Sequence, residues 1–542
     1  MEEKTNSIRK LRQWKGAGFW NVYFILKFAL AAYGYLNLNW LYNVFLLAWI
    51  VFPIANRWVN IARSLLAMAF AVTLLYSESW LPSIDSLTAN AGNIADFSLV
   101  YLAQIALDAI NWTMVGVAAL VSVVYLFIKD WLRVTAFTSV YLLGLGLYPQ
   151  WIAWQNQTPA QPSAPVVGQT ESTDSPMGPA QIGTADTANI DRWLRSFYDY
   201  EATRKTVFPQ DISATAPFDI LLVNICSLSD DDLTVAKLSD HPVLKRFDVY
   251  LDGFNSATAY SGPATLRLLT ASCGQPSHQS LYETRRPECE LMNRLEAIGY
   301  EQKFFMDHEG KFDDYIGSLQ SRVGLKPGLA DQSQYRVRYT GFDGEPIFDD
   351  ADVFDHWFNT ISNEATTRTV TLFNLIALHD GNRNKGSTRE MAFEPRAKLL
   401  LDQLQGLMKR IEESGRRVMM IVVPEHGAAV KGDKIQMARL RDIPSPHITQ
   451  VPTMVKFFGL KDSVPSVHVS EDTSYLAVSE LIARSLEMNV YGQVNATEVI
   501  HGIAKSLPKT YRVSENANAA VINFQGRHFV RFKNGEWLPY QQ

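Results

Sequence analysis

The stretch FDILLVNIC, residues 218–226, decides how the larger part of this chain folds. It is a short, nearly continuous apolar run of strand length that ends on a thiol. A strand that is apolar on both faces belongs in a parallel sheet covered by helices on both sides. Four more runs of this kind follow, at 248–251, 302–306, 370–378 and 418–423. Helical patterns lie between them, such as 287–298 and 395–414. In 395–414 the residues Leu400, Leu404, Leu407, Met408 and Ile411 recur on one face. Alternation of strands and helices predicts an α/β fold, a mostly parallel sheet with helices on both faces.

In such sheets the working residues lie past the carboxyl ends of the strands. That rule sorts the polar residues. The first run ends at Cys226. The second leads into DGFNSATAYSGPATLR, residues 252–267, which carries Tyr260 and Ser261. The fourth ends at His379-Asp380-Gly381-Asn382, and the fifth at Pro424-Glu425-His426-Gly427. Ser261 precedes a helix-like run, 264–270, where free backbone N–H groups favour an anionic ligand. Alone, Ser261 reads as a turn or cap residue, and the rest of the chain changes that reading. Cys, Glu and His are zinc ligands, and three of them with one open position make a catalytic site. Ser261 Oγ would take that position, as a nucleophile toward phosphorus.

The 542 residues predict several domains, and the net charge of −5 argues against general nucleic-acid binding. Mean hydropathy is −0.06, an average over two unlike parts. Residues 1–150 carry five apolar runs, at 19–36, 40–55, 61–76, 112–128 and 134–148. Each is slightly short of the ~20 residues that span a bilayer. The stretch 95–110 would lie on the interface. Lys4, Arg9, Lys10, Arg12 and Lys15 precede the first run, Arg57 and Arg63 sit at the second connection, and Lys129 and Arg133 at the fourth. The third connection holds Glu78, Asp85 and Asp96 with no Lys or Arg. All basic segments thus fall on one side, the cytoplasmic one, and five spans carry the C-terminal domain to the other. Lys27 and Asp108, in or near spans, are expected to snorkel or to face neighbouring helices.

Residues 151–189 read as a flexible tether rich in Pro, Ser, Thr, Gln and Ala, and 190–542 as the catalytic head. A disulfide between Cys273 and Cys289 would close a loop of about 15 residues, worth roughly 3 kcal/mol in the entropic model. It needs an oxidising compartment, which the five-span topology supplies. Cys226 is then the remaining thiol; the alternative is three reduced, buried cysteines. Residues 520–540 alternate and carry turn signals at Gln525-Gly526 and Asn534-Gly535, which predicts a β meander. Its Phe529, Trp537 and Tyr540 would either pack on the sheet edge or stack on sugar rings.

VNICSLS, TAYSGPATLRLL, LHDGN and VVPEHG, in this order and behind a five-span anchor, resemble the membrane-anchored phosphoethanolamine transferases of the alkaline-phosphatase superfamily. Cys226, Ser261 and Glu425-His426 stand where lipid A-modifying relatives have Glu, Thr and Asp-His. This resembles the cellulose-modifying branch of bacterial cellulose secretion systems. The resemblance implies zinc held by Cys226, Ser261, Glu425 and His426, and a phosphoethanolamine group contacted by Tyr260, His379 and Arg441. It implies phosphatidylethanolamine as donor, cellulose as acceptor, contact with membrane lipids and the cellulose synthase membrane complex, and a bacterial inner-membrane protein with a periplasmic head. LHDGNRNKG lacks a second histidine, and the family's His-Val-Pro reads Gln450-Val451-Pro452, so one zinc ion is expected rather than two. Competing readings are transfer to another glycan or lipid, a hydrolase of the same superfamily, and a non-catalytic scaffold of the secretion complex. Against a sulfatase, the C/S-x-P-x-R pattern has Thr265 in its last position.

Overall fold

The computed structural model describes residues 16–155, except 34, 35, 37, 55 and 80–111, and residues 178–540, except 364–367, 388, 434 and 534. The expected interfacial stretch 95–110, Asp108, most of the tether and Asn534 lie outside the described residues. The described residues form two compact units, each taken here by itself.

The N-terminal unit contains the helices α1 (Trp20–Ala32), α2 (Trp40–Val51), α3 (Arg57–Glu78), α4 (Trp112–Ile128) and α5 (Val134–Gln155). Asn39 and Asn56 cap α2 and α3 by accepting backbone N–H groups in the first turn. Among the described residues, α3 alone is long and apolar enough to cross a membrane; the other apolar helices are shorter. Lys27 does not snorkel. It is buried, with Nζ 2.5 Å from Glu78 Oε2 and 2.7 Å from Asn43 Oδ1. Glu78 was expected in the third connection; it occupies the last turn of α3. Its Oε1 accepts from Asn43 Nδ2 and from the Asn39 backbone N–H, so polar groups tie α1, α2 and α3 together. Phe24, Leu46, Leu47, Ile50 and Leu74 form an apolar core beside this pair, while other apolar side chains point outward: Trp58, Leu65, Phe127 and Val140 are all mostly exposed.

The second unit is built on a seven-stranded sheet. Its strands are β1 (Asp219–Ile225), β2 (Val249–Phe254), β3 (Glu301–Met306), β6 (Thr369–Leu375), β8 (Val418–Pro424), β9 (Thr453–Phe458) and β10 (Val467–Thr473). Their order is β10-β2-β9-β8-β1-β6-β3. All neighbours are parallel except β9, which runs antiparallel to β2 and β8. A small sheet of β4 (Val337–Thr340), β5 (Pro346–Phe348) and β7 (Arg383–Asn384) lies beside it in sequence.

Strand β1 explains the double cover. Side chains alternate across a strand. Ile220 and Leu222 enter one core; Leu221, Val223 and Ile225 enter the other. All are buried, each contributing about 1.5–3 kcal/mol on leaving water. The second core also takes Leu400, Leu404, Leu407, Met408 and Ile411 of the helix Phe393–Ser414. The helix expected over 287–298 begins later, at Leu291, because Pro287–Cys289 forms a separate 3-10 turn.

The tail forms the meander β11 (Val513–Glu515), β12 (Ala519–Phe524), β13 (Arg527–Phe532) and β14 (Leu538–Pro539). Gln525 and Gly526 both take positive φ, +52° and +74°, as a two-residue hairpin turn requires. Phe529, Trp537 and Tyr540 are buried, so packing is their role and the sugar-stacking alternative falls. Trp537 and Phe529 share a core with Ile190, Trp193, Leu194 and Phe197 of the helix Thr187–Thr203. That helix starts inside the stretch expected to be tether. Upstream of it, Gln181 donates to the Asn523 carbonyl and accepts from the Gln525 N–H.

Candidate active site

Strands β1 and β8 lie side by side in parallel, with Ile225 opposite Pro424. The residues after them, Cys226 and Glu425-His426, therefore emerge together. The Cys226 N–H donates to the Leu375 carbonyl of β6, and the Glu425 N–H to the Ile225 carbonyl of β1. The chain then turns sharply at each strand. Ser227 and Ala429 hold left-handed φ of +70° and +53°. Non-glycine residues rarely adopt this conformation, and it concentrates at functional sites. Gly427 is required by space, since a Cβ there would stand 2.6 Å from Ser229 Oγ.

Ser261 opens a helix, Ser261–Leu269, whose N-cap Tyr260 makes no side-chain cap bond. The first N–H groups of that helix remain available to an anion. A Cβ on Gly262 would meet nothing within 4 Å, so the space beside Ser261 is open. Asn516 shapes the loop before it: Oδ1 accepts from Thr258 Oγ1 and the Ala259 N–H, while Nδ2 donates to the carbonyls of Arg441 and Asp442.

The structure brings the four expected ligands together. Ser261 Oγ lies 3.2 Å from Cys226 Sγ and 3.2 Å from His426 Nε2. Cys226 Sγ is 3.9 Å from His426 Nε2. Cys226, Glu425 and His426 offer ligand atoms all within 4.8 Å of one another, and among the described residues this is the group that could hold an ion. His426 Nδ1 lies 2.8 Å from the Gly427 carbonyl, which can only accept. Nδ1 therefore carries the proton and Nε2 turns a lone pair toward Cys226 and Ser261. Burial and the Arg441 charge hold His426 well below the usual histidine range.

Zinc fits this donor set. Glu425 Oε2 is fully buried and has no hydrogen-bond partner. Burial, then the Glu425 charge, pushes the Cys226 thiol up, and burial also raises Glu425. A cation held by these groups would favour their ionised forms.

The outer residues are arranged as follows. His379 stacks on Phe342 at 4.6 Å, and its Nδ1 donates to the Asp380 carbonyl, leaving a lone pair on Nε2. Burial, then Arg441, pushes its pKa down to about 4. Arg441 Nη1 lies 3.2 Å from Ser227 Oγ and 3.5 Å from Asp380 Oδ2. Tyr260, partly exposed, donates to Asp442 Oδ1 at 3.0 Å. Gln450, in place of the family's histidine, is taken up by Asp230, Arg512 and the Asp252 carbonyl. Cys273 and Cys289 form a disulfide, and Cys226 is the buried free thiol.

Sequence reasoning missed Asn224, Thr265 and Asn374, which surround Glu425. A signal was there: two otherwise apolar strands, ILLVNI and TLFNL, each carry one asparagine near the end.

Residues 175–537 match the model of the cellulose biosynthesis protein BcsG C-terminal domain, and residues 20–147 that of its N-terminal domain. The cellulose biosynthesis protein BcsG of Salmonella typhimurium (strain LT2) is 39% identical over 545 residues, covering 98% of this chain and 97% of that protein. The protein of the same name from Escherichia coli (strain K12) is 38% identical over 553 residues, with coverage of 98% and 97%. Similar solved structures include an alkaline-phosphatase-superfamily protein from Vibrio parahaemolyticus, with TM-score 0.47 and 11% identity, over 65% of this chain and 91% of that one. Another is the C-terminal periplasmic domain of EcEptC from Escherichia coli in complex with Zn, with TM-score 0.41 and 14% identity, over 58% and 93%. This chain belongs to the family of the cellulose biosynthesis protein BcsG.

Proposed function

We propose that this chain is a membrane-anchored phosphoethanolamine transferase of cellulose biosynthesis. It moves the group from phosphatidylethanolamine to glucose 6-hydroxyls of nascent cellulose through a covalent adduct on Ser261. The observation that carries this reading is the meeting of Ser261 Oγ, Cys226 Sγ and His426 Nε2 at a helix N-terminus. Cys226, Glu425, His426 and Ser261 Oγ would hold one zinc ion, which supplies Lewis-acid chemistry at the phosphoryl group and the serine oxygen.

The protein's own groups do the rest. Ser261 Oγ forms a bond to phosphorus as the bond to the diacylglycerol oxygen breaks. His379 Nε2 carries the serine proton toward that leaving oxygen. Arg441 and the free N–H groups of the Ser261 helix balance charge on the phosphoryl oxygens. Tyr260, held by Asp442, borders the open space beside Gly262 where the group sits. In the second half the glucose 6-oxygen bonds to phosphorus, the bond to Ser261 Oγ breaks, and the 6-hydroxyl proton returns by the same route.

The anchor keeps the head beside its lipid donor. Five apolar helices with outward-facing Trp, Leu, Phe and Val support a multi-pass inner-membrane protein. The Cys273–Cys289 disulfide supports a periplasmic head, and the cellulose synthase membrane complex is the expected partner. The test uses the full chain in phosphatidylethanolamine vesicles, with mass spectrometry of the Ser261 peptide. A phosphoethanolamine adduct is expected, and Ser261→Ala should lose adduct and transfer while keeping its circular dichroism. Undiminished transfer by that variant refutes the nucleophile. Free phosphoethanolamine released with no polymer product would point to a hydrolase. Full activity without bound zinc would remove the metal.

A further inference from the structure

Glu425 has two carboxylate oxygens in very different surroundings. Oε1 is crowded: Asn374 Nδ2 lies at 2.6 Å and Thr265 Oγ1 at 2.9 Å. Oε2 is buried and has no hydrogen-bond partner. One oxygen is thus anchored and the other is left for an ion.

The anchoring has a fixed direction that begins on the backbone. The Gly310 N–H lies 3.2 Å from His308 Nδ1, so Nδ1 accepts. In a neutral imidazole the proton is then on Nε2. His308 Nε2 is 2.9 Å from Asn374 Oδ1, which must accept it. The amide orientation follows, and Asn374 Nδ2 has to face the other way. One of its hydrogens goes to Glu425 Oε1 and the other to Asn224 Oδ1, at 3.0 Å. Asn224 is held in turn by its own amide, which donates to the Val423 carbonyl at 2.8 Å. Each link forces the polarity of the next.

Strand register makes the relay possible. Asn374 on β6 lies opposite Asn224 on β1, which lies opposite Val423 on β8, two residues before Glu425. Thr265 closes the ring from the nucleophile helix. Its hydroxyl is 2.8 Å from Tyr315 OH and can accept there while giving its single proton to Glu425. A carboxylate is a stronger acceptor than the Asn224 amide oxygen 3.1 Å away. The position where a sulfatase-type pattern would carry arginine is therefore used to orient a carboxylate.

We infer that Asn374, aligned by His308 and assisted by Thr265, is a positioning residue that presents Glu425 to zinc through Oε2 alone. This rests on the zinc reading of the preceding subsection. The test is zinc affinity of the full chain in detergent, measured by competition with a chromophoric chelator, alongside the metal-free melting temperature. Loss of an outer partner of a ligand typically weakens metal binding about 10–100-fold. Asn374→Ala is expected in that range, Thr265→Val should weaken binding in the same direction, and Thr265→Ser should restore it. A purely structural role would lower the metal-free melting temperature and leave affinity unchanged. If Asn374→Ala does not fold, the Thr265 pair decides alone. Zinc affinity within about threefold of the unsubstituted chain in the variants that fold overturns the inference, since it falls below the outer-partner range. An unsubstituted chain that binds no zinc brings down the zinc reading and this inference with it.

Discussion

The two units of this chain bury polar groups to different ends. In the N-terminal unit, Lys27, Asn43 and Glu78 are inside and Trp58, Leu65 and Phe127 are outside. In the head, apolar side chains fill both faces of the sheet. Cys226, Glu425 and His426 are buried together where two strands end. Each unit buries what its surroundings do not reward exposing. The interior ion pair of the first sets Lys27 Nζ 2.5 Å from Glu78 Oε2 and joins three helices. The buried cluster of the second leaves Glu425 Oε2 without a hydrogen-bond partner among groups that could hold a metal ion.

The largest test of this contrast is Lys27→Met, which leaves the Glu78 carboxylate buried and unpaired. A loss of about 3–5 kcal/mol is expected, read by unfolding in mixed micelles. The double replacement Lys27→Met with Glu78→Leu should recover most of it, because an apolar pair of similar size needs no partner. Equal losses in both would mean the ion pair is not what holds the helices. Next, Leu65→Asp on the outer face of α3 should oppose membrane insertion by roughly 3 kcal/mol. Val494→Asp, at a position 93% exposed on the head, should stay within about 0.5 kcal/mol. If the two substitutions behave alike, the outer surfaces do not face different solvents.

The most gradual effect concerns pH. Burial pushes His308 down to about 4. Its unfolded value is near 6.5, so between those values the unfolded chain binds the extra proton. Head stability should therefore fall as pH drops through this window, by up to about 1.4 kcal/mol per pH unit from this residue. Denaturant titrations across the window should show a shallower slope in His308→Gln; an unchanged slope would assign the proton elsewhere.

Much of this is legible in the sequence alone. Strand β1 announced itself because a strand buried twice has little choice but to be apolar throughout. The ends of β1 and β8 brought Cys226 and Glu425-His426 to one edge for the same reason. What escaped was set by pairing rather than by local pattern. The antiparallel course of β9 cannot be read from TMVKFF, since a buried strand looks the same in either direction. Asn374 counted as part of an apolar run, and its role depends on lying opposite Asn224 on another strand. The helix Thr187–Thr203 hid behind a Pro- and Ser-rich stretch because its packing partners come more than 300 residues later.

Asn516 gives that long reach a temporal meaning. It braces the loop ahead of Ser261 and the carbonyls of Arg441 and Asp442, from a point near the end of the chain. A polypeptide cut short before β11 possesses Cys226, Ser261, Glu425 and His426 yet lacks the Asn516 contacts that hold the loop ahead of Ser261. Under the function proposed above, competence would thus wait for β11 and the residues that follow it.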